Sequence, residues 1–342
     1  MSEQLHDVGV VAIGRNEGER IKRCLRSAIE CTDRVVYVDS GSSDDSVEFA
    51  KSIGVEVVDL DTSIPFTAAR ARNEGIKRLE EKWEGLKYVQ VLDGDCELRD
   101  AWVQTAHNFL EANTQAGVVC GRRRERSPEQ TVYNHLCNLE WDTPIGKARS
   151  CGGDALFRLD ALNQVGVYNP SVIAGEEPEL CVRLRHAGFE VHRVDHEMTW
   201  HDASMTTLGQ YWKRAKRAGH AYAQGAHMHG KPPERHNVRQ TRSAITWGVV
   251  LPILAIGLAY WTLGISVLAY LVLAFVQGVR IQRNELRRGR SGKDAGLLAR
   301  FIMIAKFAQA QGVLLFHWRR LTGRQATLIE YKGAAEGGTT HD

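Results

Sequence analysis

The sequence predicts an α/β domain built on a mostly parallel sheet, followed by a membrane-associated helical part. Three observations carry this. Over residues 8–200, short β-branched runs alternate with stretches of helical periodicity, the pattern of a sheet covered on both faces. From Ala244 to Val279 there is no charged residue at all. The chain has 342 residues, room for roughly two domains of about 100–200 residues each.

Each element has its own warrant. Residues 8–13 read as a buried strand, and residues 17–31 follow with Ile21, Cys24, Leu25, Ala28 and Ile29 at helical spacing. Residues 34–39 form a second strand, closed by the loop 40–45, where Asp44 or Asp45 is placed to cap a helix running to Ile53. A third strand (55–59), a helix (67–79), a fourth strand (88–93), a helix (101–113) and a fifth strand (118–121) complete the alternation. In such a sheet ligands bind at the carboxyl ends of the strands.

Composition narrows the classes further. Hydrophobic residues make up 43% and charged residues 25%, which excludes a disordered or collagen-like chain. A net charge of +3 is too small to imply a nucleic-acid partner. The mean hydropathy of −0.30 excludes a many-spanning transporter while allowing a membrane foot. Seven cysteines, none in a CxxC pair, read as reduced cytosolic thiols and neither a disulfide framework nor a zinc site. The opening residues lack the basic and apolar regions of a cleaved signal peptide.

The uncharged run predicts a transmembrane hairpin over 244–281. It is too long for one crossing, which takes about 20 residues, and just fits two tight spans turning at 262–264. Trp247, Tyr260 and Trp261 fall where interfacial aromatics belong. Arg235, Arg239 and Arg242 precede it and Arg280, Arg283 and Arg287 follow, so the positive-inside rule puts both flanking parts in the cytoplasm, at the inner membrane. Residues 297–318 are apolar but carry Arg300 and Lys306, and read as an interfacial or re-entrant helix. Within 205–243, Leu208, Tyr211, Ala215 and Tyr222 face Lys213, Lys216 and Arg217, which suits a helix resting on anionic lipid or an ordinary surface helix. The domains expected are therefore 1–204 (cytosolic α/β), 205–243 (interfacial helix and basic linker), 244–281 (hairpin), 282–332 (cytosolic or interfacial helical segment) and 333–342 (disordered tail).

Aspartates gather at predicted strand ends. Asp39 closes the second strand, and Asp93-Gly94-Asp95 closes the fourth. Two carboxylates one residue apart can converge on a hard cation where Gly94 lets the chain turn sharply, and such a cation would bind a nucleotide's phosphates. No GxGxxG and no GxxxxGK[ST] occurs, so diphosphate chemistry here would use the metal and Arg72.

Six segments in order carry a resemblance: Val11–Glu17, Val38–Asp44, Ala71–Gly75 and Asp93–Asp95, then the pair Gly152–Arg158 and Glu176–Arg183. They resemble the family-2 inverting glycosyltransferases of the GT-A fold, over roughly residues 8–220. The resemblance implies that Ile13, Arg15 and Glu17 cradle the nucleoside and that Asp39 contacts its base or ribose. It places Arg72, Asp93 and Gly94 near the diphosphate. Asp95, Asp93 and His201 would hold Mg2+ or Mn2+. Gly153, Asp154 and Trp141 would lie on the acceptor side, Trp141 either stacked on a sugar or buried in the core. Glu177 occupies the base position, with Glu176 flanking it. The family's usual Asp is Glu here, so either of the two can be the base. The Gln210–Arg214 segment lacks the Arg-Trp pair of processive members, which points to addition of a single sugar. The run Arg122–Arg126 is either a solvated loop or a grip on an acceptor diphosphate.

The function expected is transfer of one sugar from a UDP- or GDP-sugar to a lipid-linked, polyprenyl-borne acceptor, as in polysaccharide assembly. The alternatives are a polyprenyl-phosphate glycosyl synthase, a nucleotidyl transferase, and a degenerate transferase serving as a membrane scaffold. A nucleotidyl transferase needs a glycine-rich first loop, which Ile13–Glu17 does not provide.

Overall fold

The computed structural model describes residues 5–64 and 66–323. Its chain divides into two compact units, one holding residues up to Ser204 and the other beginning at Met205. The expected disordered tail lies outside the described residues.

The first unit is a nine-stranded mixed sheet with helices. Strand β1 (Val8–Gly14) is buried at all seven positions, as an apolar strand covered on both faces must be. Around it β2 (Val35–Asp39), β3 (Glu56–Asp59) and β4 (Tyr88–Asp93) pair in parallel, in the order β3-β2-β1-β4. Helix α1 (Glu19–Ile29) buries Ile21, Cys24, Leu25 and Ala28, the expected stripe. Helix α2 (Ser46–Ser52) follows β2. Helix α3 (Ala68–Lys82) starts at Thr67, whose hydroxyl accepts from the Arg70 N–H at 3.1 Å.

Beyond β4 the sheet departs from the regular alternation. A short β5 (Cys96–Leu98), helix α4 (Trp102–Ala112), strand β6 (Ala116–Glu125), helix α5 (Val132–Trp141) and the two-residue β7 (Gly146–Lys147) come next. Strand β8 (Ala155–Arg158) runs antiparallel between β4 and β6, and helices α6 (Leu159–Val165) and α7 (Glu176–His186) follow it. The long β9 (Glu190–His201) runs parallel to β6 and pairs antiparallel with β5 and β7. The fifth strand is thus longer than its β-branched stretch, because Arg122–Glu125 continue it with edges held by β9.

In the second unit α8 (Leu208–His229) opens with a reciprocal capping box between Thr207 and Gln210. Helix α9 (Val238–Ile245), a π turn (Thr246–Val250) and α10 (Leu251–Gly257) run on as one helical stretch. A turn closed by left-handed Leu263 and Gly264 leads to α11 (Ile265–Arg287) and then α12 (Gly292–Leu321). Helix α12 lies close along α8. A side chain at Gly219 would strike the Gln309 backbone, and one at Gly312 would strike the Lys216 carbonyl, so both crossing points need glycine. Helices α11 and α12 are each long and apolar enough to cross a membrane. No residue in the apolar window of α11 is fully buried, and 39% of that of α12 is.

Candidate active site

The site assembles where β4 ends and α7 begins. Arg72, on α3, is 2% exposed and meets three carboxylates. Its Nη2 lies 2.7 Å from Asp93 Oδ1, and its Nη1 lies 3.0 Å from Glu176 Oε1 and 2.8 Å from Glu177 Oε1. The guanidinium also stands 5.3 Å from the Tyr168 ring centroid. Burial opposes the charge on Arg72, but Glu177 and Asp93 outweigh it and hold the group firmly cationic. One arginine therefore ties the end of β4 to the first turn of α7, residues more than eighty positions apart.

Glu177 feels opposite forces. Burial is the largest and pushes its carboxyl up, Glu176 adds to that push, and Arg72 pulls it down; the result is a pKa raised to about 7. Both glutamates sit at the start of α7 after left-handed Gly175, where the helix N-terminus favours negative charge.

A second, largely buried arginine supports the same network. Arg123 Nη2 is 2.8 Å from Asp154 Oδ2 and 3.4 Å from Asp93 Oδ2. Asp154 is fully buried. It accepts from the Asp93 N–H at 3.1 Å and from the Thr199 hydroxyl at 2.8 Å, which locks β4, β8 and β9 together. Gly153 has no room for a side chain, since a Cβ there would lie 2.5 Å from Asp93 Oδ2.

Asp95 turns to a different neighbour. Its Oδ2 is 3.4 Å from His201 Nε2, and the His201 Nδ1 is 3.6 Å from Glu125 Oε2. The Trp141 ring packs edge-on to His201 at 4.5 Å and also faces Arg123 at 5.5 Å. Ligand atoms of Asp95, Cys96 and His201 lie within 4.8 Å of one another, and so do those of Asp93, Cys96 and Asp154. Burial pushes the Cys96 thiol well up, and a soft sulfur ligand suits hard Mg2+ or Mn2+ poorly. What remains at Asp95 and His201 is one carboxylate and one imidazole. That set fits a divalent ion completing its shell with substrate phosphates and water, as Mg2+ and Mn2+ do. Asp93, with an arginine at each oxygen, is less open to a cation.

The nucleoside-side residues lie at the ends of β1 and β2. Asp39 is 3% exposed, and its own turn occupies its carboxylate. Oδ1 accepts from the Tyr37 hydroxyl at 2.7 Å and the Ser42 hydroxyl at 2.5 Å, and Oδ2 from the Gly41 and Ser42 N–H groups at 2.9 and 2.8 Å. Asp39 thus shapes the loop. Asn16 stitches that loop to the end of β1, donating its N–H to Ser42 Oγ at 2.9 Å and accepting from the Ser43 N–H at 2.7 Å. Glu17 pairs with Arg20 at 2.9 Å, Arg15 is exposed, and Ile13 is buried beneath them. Gly94 packs so closely on Ile13 that a Cβ would sit 2.9 Å from its carbonyl oxygen.

The fold therefore brings Arg72, Asp93, Gly153, Asp154, Glu176 and Glu177 into one charge network and Asp95, His201 and Trp141 into an adjoining one. Asp39, Arg15 and Glu17 stand apart at the β1–β2 ends. Sequence reasoning missed Arg123 as a member of the network. The signal was alternation: after Val119, side chains of β6 point by turns to the two faces, and Arg123 falls on the inner one while Arg122 and Arg124 face acidic partners.

Comparison with known proteins bears on the fold that carries these residues. Residues 10–160 match the family model Glycosyl transferase family 2. A TPR repeat-containing protein of Synechococcus elongatus is 30% identical over 138 residues, 40% of this chain and 32% of that protein. The chain spans less than a third of the length of the curated relatives it matches. Among solved structures, the mannosyltransferase PcManGT of Pyrobaculum calidifontis, in complex with GDP-Man and Mn2+, superposes with a TM-score of 0.54 at 17% identity, over 90% of this chain and 88% of that one. S. aureus TarS 1-349 gives a TM-score of 0.50 at 12% identity, over 93% and 92%. Sheet order and the family match point the same way: residues 10–160 resemble glycosyl transferase family 2, and the fold is that of a GT-A domain.

Proposed function

We propose that the chain is a metal-dependent inverting glycosyltransferase that moves one sugar from a UDP- or GDP-sugar to a lipid-linked acceptor at the cytoplasmic face of the inner membrane. The observation that carries the proposal is the Arg72 junction, which sets a largely buried carboxyl of raised pKa beside the strand-end Asp93.

In this reading Glu177 is the base and Glu176 its tuning neighbour. Glu177 takes the proton from the acceptor hydroxyl as that oxygen bonds to the anomeric carbon. The bond from that carbon to the donor phosphate oxygen breaks on the opposite side, and its electron pair leaves with the diphosphate. Arg72 holds Glu177 against the sheet edge and lends positive charge near the departing group. Asp95 and His201 hold Mg2+ or Mn2+, which when bound neutralises the diphosphate charge. Ile13, Arg15, Glu17, Asp39 and Gly94 form the floor for the nucleoside, with Asp39 acting through the turn it braces. Gly153 and Asp154 keep the acceptor side open and rigid.

The acceptor class rests on the second unit. Helix α11 leaves most of its apolar window exposed, Leu268, Leu271, Val272 and Phe275 among it, a state that lipid satisfies and water does not. Arg280, Arg283 and Arg287 at its end favour the cytoplasmic side. Screening nucleotide sugars for diphosphate release with membrane extract tests both halves. The expected result is metal-dependent release with sugar label in the chloroform-soluble fraction. Label confined to water-soluble product would remove the lipid acceptor, and no release from any donor would remove the transferase.

A further inference from the structure

Next to the carboxylates lies a cavity of about 200 Å3, lined among others by Arg123, Trp141, Thr143, Ser150, Gly152 and Arg193. Arg193, on β9, is only 8% exposed. Its strand neighbours are neutralised: Arg122 lies 2.7 Å from Asp195 and 2.8 Å from Asp142, and Arg124 3.1 Å from Glu197. Among the described residues Arg193 makes no ion pair, even with Glu140, which also lines the cavity. Burial accordingly pulls its pKa below the ordinary value, with Arg122 and Arg124 adding to the strain and Asp142 partly offsetting it. The nearby Cys120 thiol, pushed up to about 12 by burial, supplies no negative charge.

The guanidinium's hydrogen bonds show the same vacancy. Nη1 donates to the Thr143 hydroxyl, which anchors the group. Nε and Nη2 are buried without a hydrogen-bond partner. Those two N–H groups form one edge of the guanidinium, the parallel fork that matches two oxygens of a carboxylate or phosphate. An unpaired buried cation is costly, and a water bonded to it would leave its charge uncompensated.

We propose that this cavity is an oxyanion-binding site, in which the Nε/Nη2 edge of Arg193 grips a phosphate or carboxylate group carried by the acceptor. The word acceptor rests on the transferase reading; the oxyanion site does not. The size agrees. A volume of about 200 Å3 has room for one charged group with a little of its bearer. Its position agrees too. Arg123 lines the cavity and reaches Asp93 at 3.4 Å, so an anion held by Arg193 would anchor its bearer beside the carboxylate network. The Trp141 face on the same wall suits a sugar ring.

Calorimetric titration of inorganic phosphate, and separately of acetate, into the full chain tests the site, with Arg193→Gln and Arg193→Lys alongside. Wild type is expected to bind one of the two anions at a single site, and the tighter one identifies the group. Arg193→Gln should weaken that binding roughly 10- to 150-fold, the range for hydrogen bonds to a charged group, and Arg193→Lys should fall between because it keeps the charge but not the fork. Without anion, Arg193→Gln should melt no lower than wild type, since it removes an uncompensated buried charge; a merely structural arginine would lower the melting temperature. Wild type binding neither anion, or Arg193→Gln binding as wild type does, would overturn the proposal. A parallel titration of UDP and GDP with Mn2+ separates the two readings. Nucleotide binding without anion binding defeats only the oxyanion site, and anion binding without nucleotide binding defeats only the transferase.

Discussion

Replacing Glu177 with Gln removes the proton acceptor while keeping its size and one hydrogen-bonding oxygen. Loss of a general base lowers kcat by about 10²–10⁴, equivalent to roughly 3–5 kcal/mol of barrier. The pH dependence follows from the structure. Burial and then Glu176 raise the Glu177 pKa to about 7, and only the deprotonated form accepts a proton. Wild-type kcat/KM should therefore climb tenfold per pH unit below about 7 and level off above it, and the Gln variant should lose that limb. Glu176→Gln removes the second-largest upward push on Glu177, so it should move the limb to lower pH while leaving most of the activity.

The same shift has a stability side with a definite sign. Glu177 is an acid whose folded pKa lies above the ordinary 4.5, so folding disfavours its charged form. Its destabilising effect is absent below about 4.5, grows as the pH rises, and is complete above about 7. The gap is worth roughly 3 kcal/mol at about 1.36 kcal/mol per unit. Glu177→Gln should thus melt several degrees higher than wild type at pH 8 and converge with it near pH 4.5. Steady-state release of nucleoside diphosphate across pH 5–9, with melting curves over the same buffers, measures both. A Gln variant with kcat within tenfold of wild type would refute Glu177 as the base and favour an acceptor that is already an anion, such as a polyprenyl phosphate. A variant less stable at pH 8 would refute the account of the buried carboxyl.

Three further outcomes are expected. Arg72→Met leaves Asp93, Glu176 and Glu177 facing one another without their shared cation, so it should cost about 3–5 kcal/mol in chemical denaturation and push the activity limb above pH 7. Chelation with EDTA, or Asp95→Asn, should abolish the Mn2+-dependence of nucleotide binding in calorimetry; retained dependence would remove Asp95 and His201 from the metal role. Gly153→Ala drives a Cβ to 2.5 Å from Asp93 Oδ2 and 3.1 Å from Arg123 Nη2, and should lower kcat at least tenfold with a reduced melting temperature.

How much of this was legible in the sequence differs by region, for physical reasons. Strands β1 to β4 were readable because each is a buried apolar run between a polar turn and an amphipathic helix, and local periodicity suffices there. The half beyond β4 was not. Strand β8 inserts antiparallel between β4 and β6, and β9 reaches across to β5 and β7, pairings set by contacts distant in the chain. The helical stretch before the 258–264 turn contains a π turn at Gly248, where a side chain would strike the Lys306 carbonyl on α12; tertiary contact, which periodicity cannot register, sets that local geometry.

The arginines show where sequence reasoning stops and why. Arg72 and Arg193 are buried and Arg123 is largely so, yet a sequence presents all three as ordinary surface charges. What separates them is the number of carboxylates each meets among the described residues: three for Arg72, two for Arg123, none for Arg193. An arginine that meets carboxylates inside the protein fixes those carboxylates in place, and its loss is felt as instability. An arginine buried with a free fork is an expense to the fold that only a ligand relieves, and its loss is felt in binding. Pairing inside the fold, more than residue type or position in a motif, therefore decides which charges build the site and which wait for a substrate.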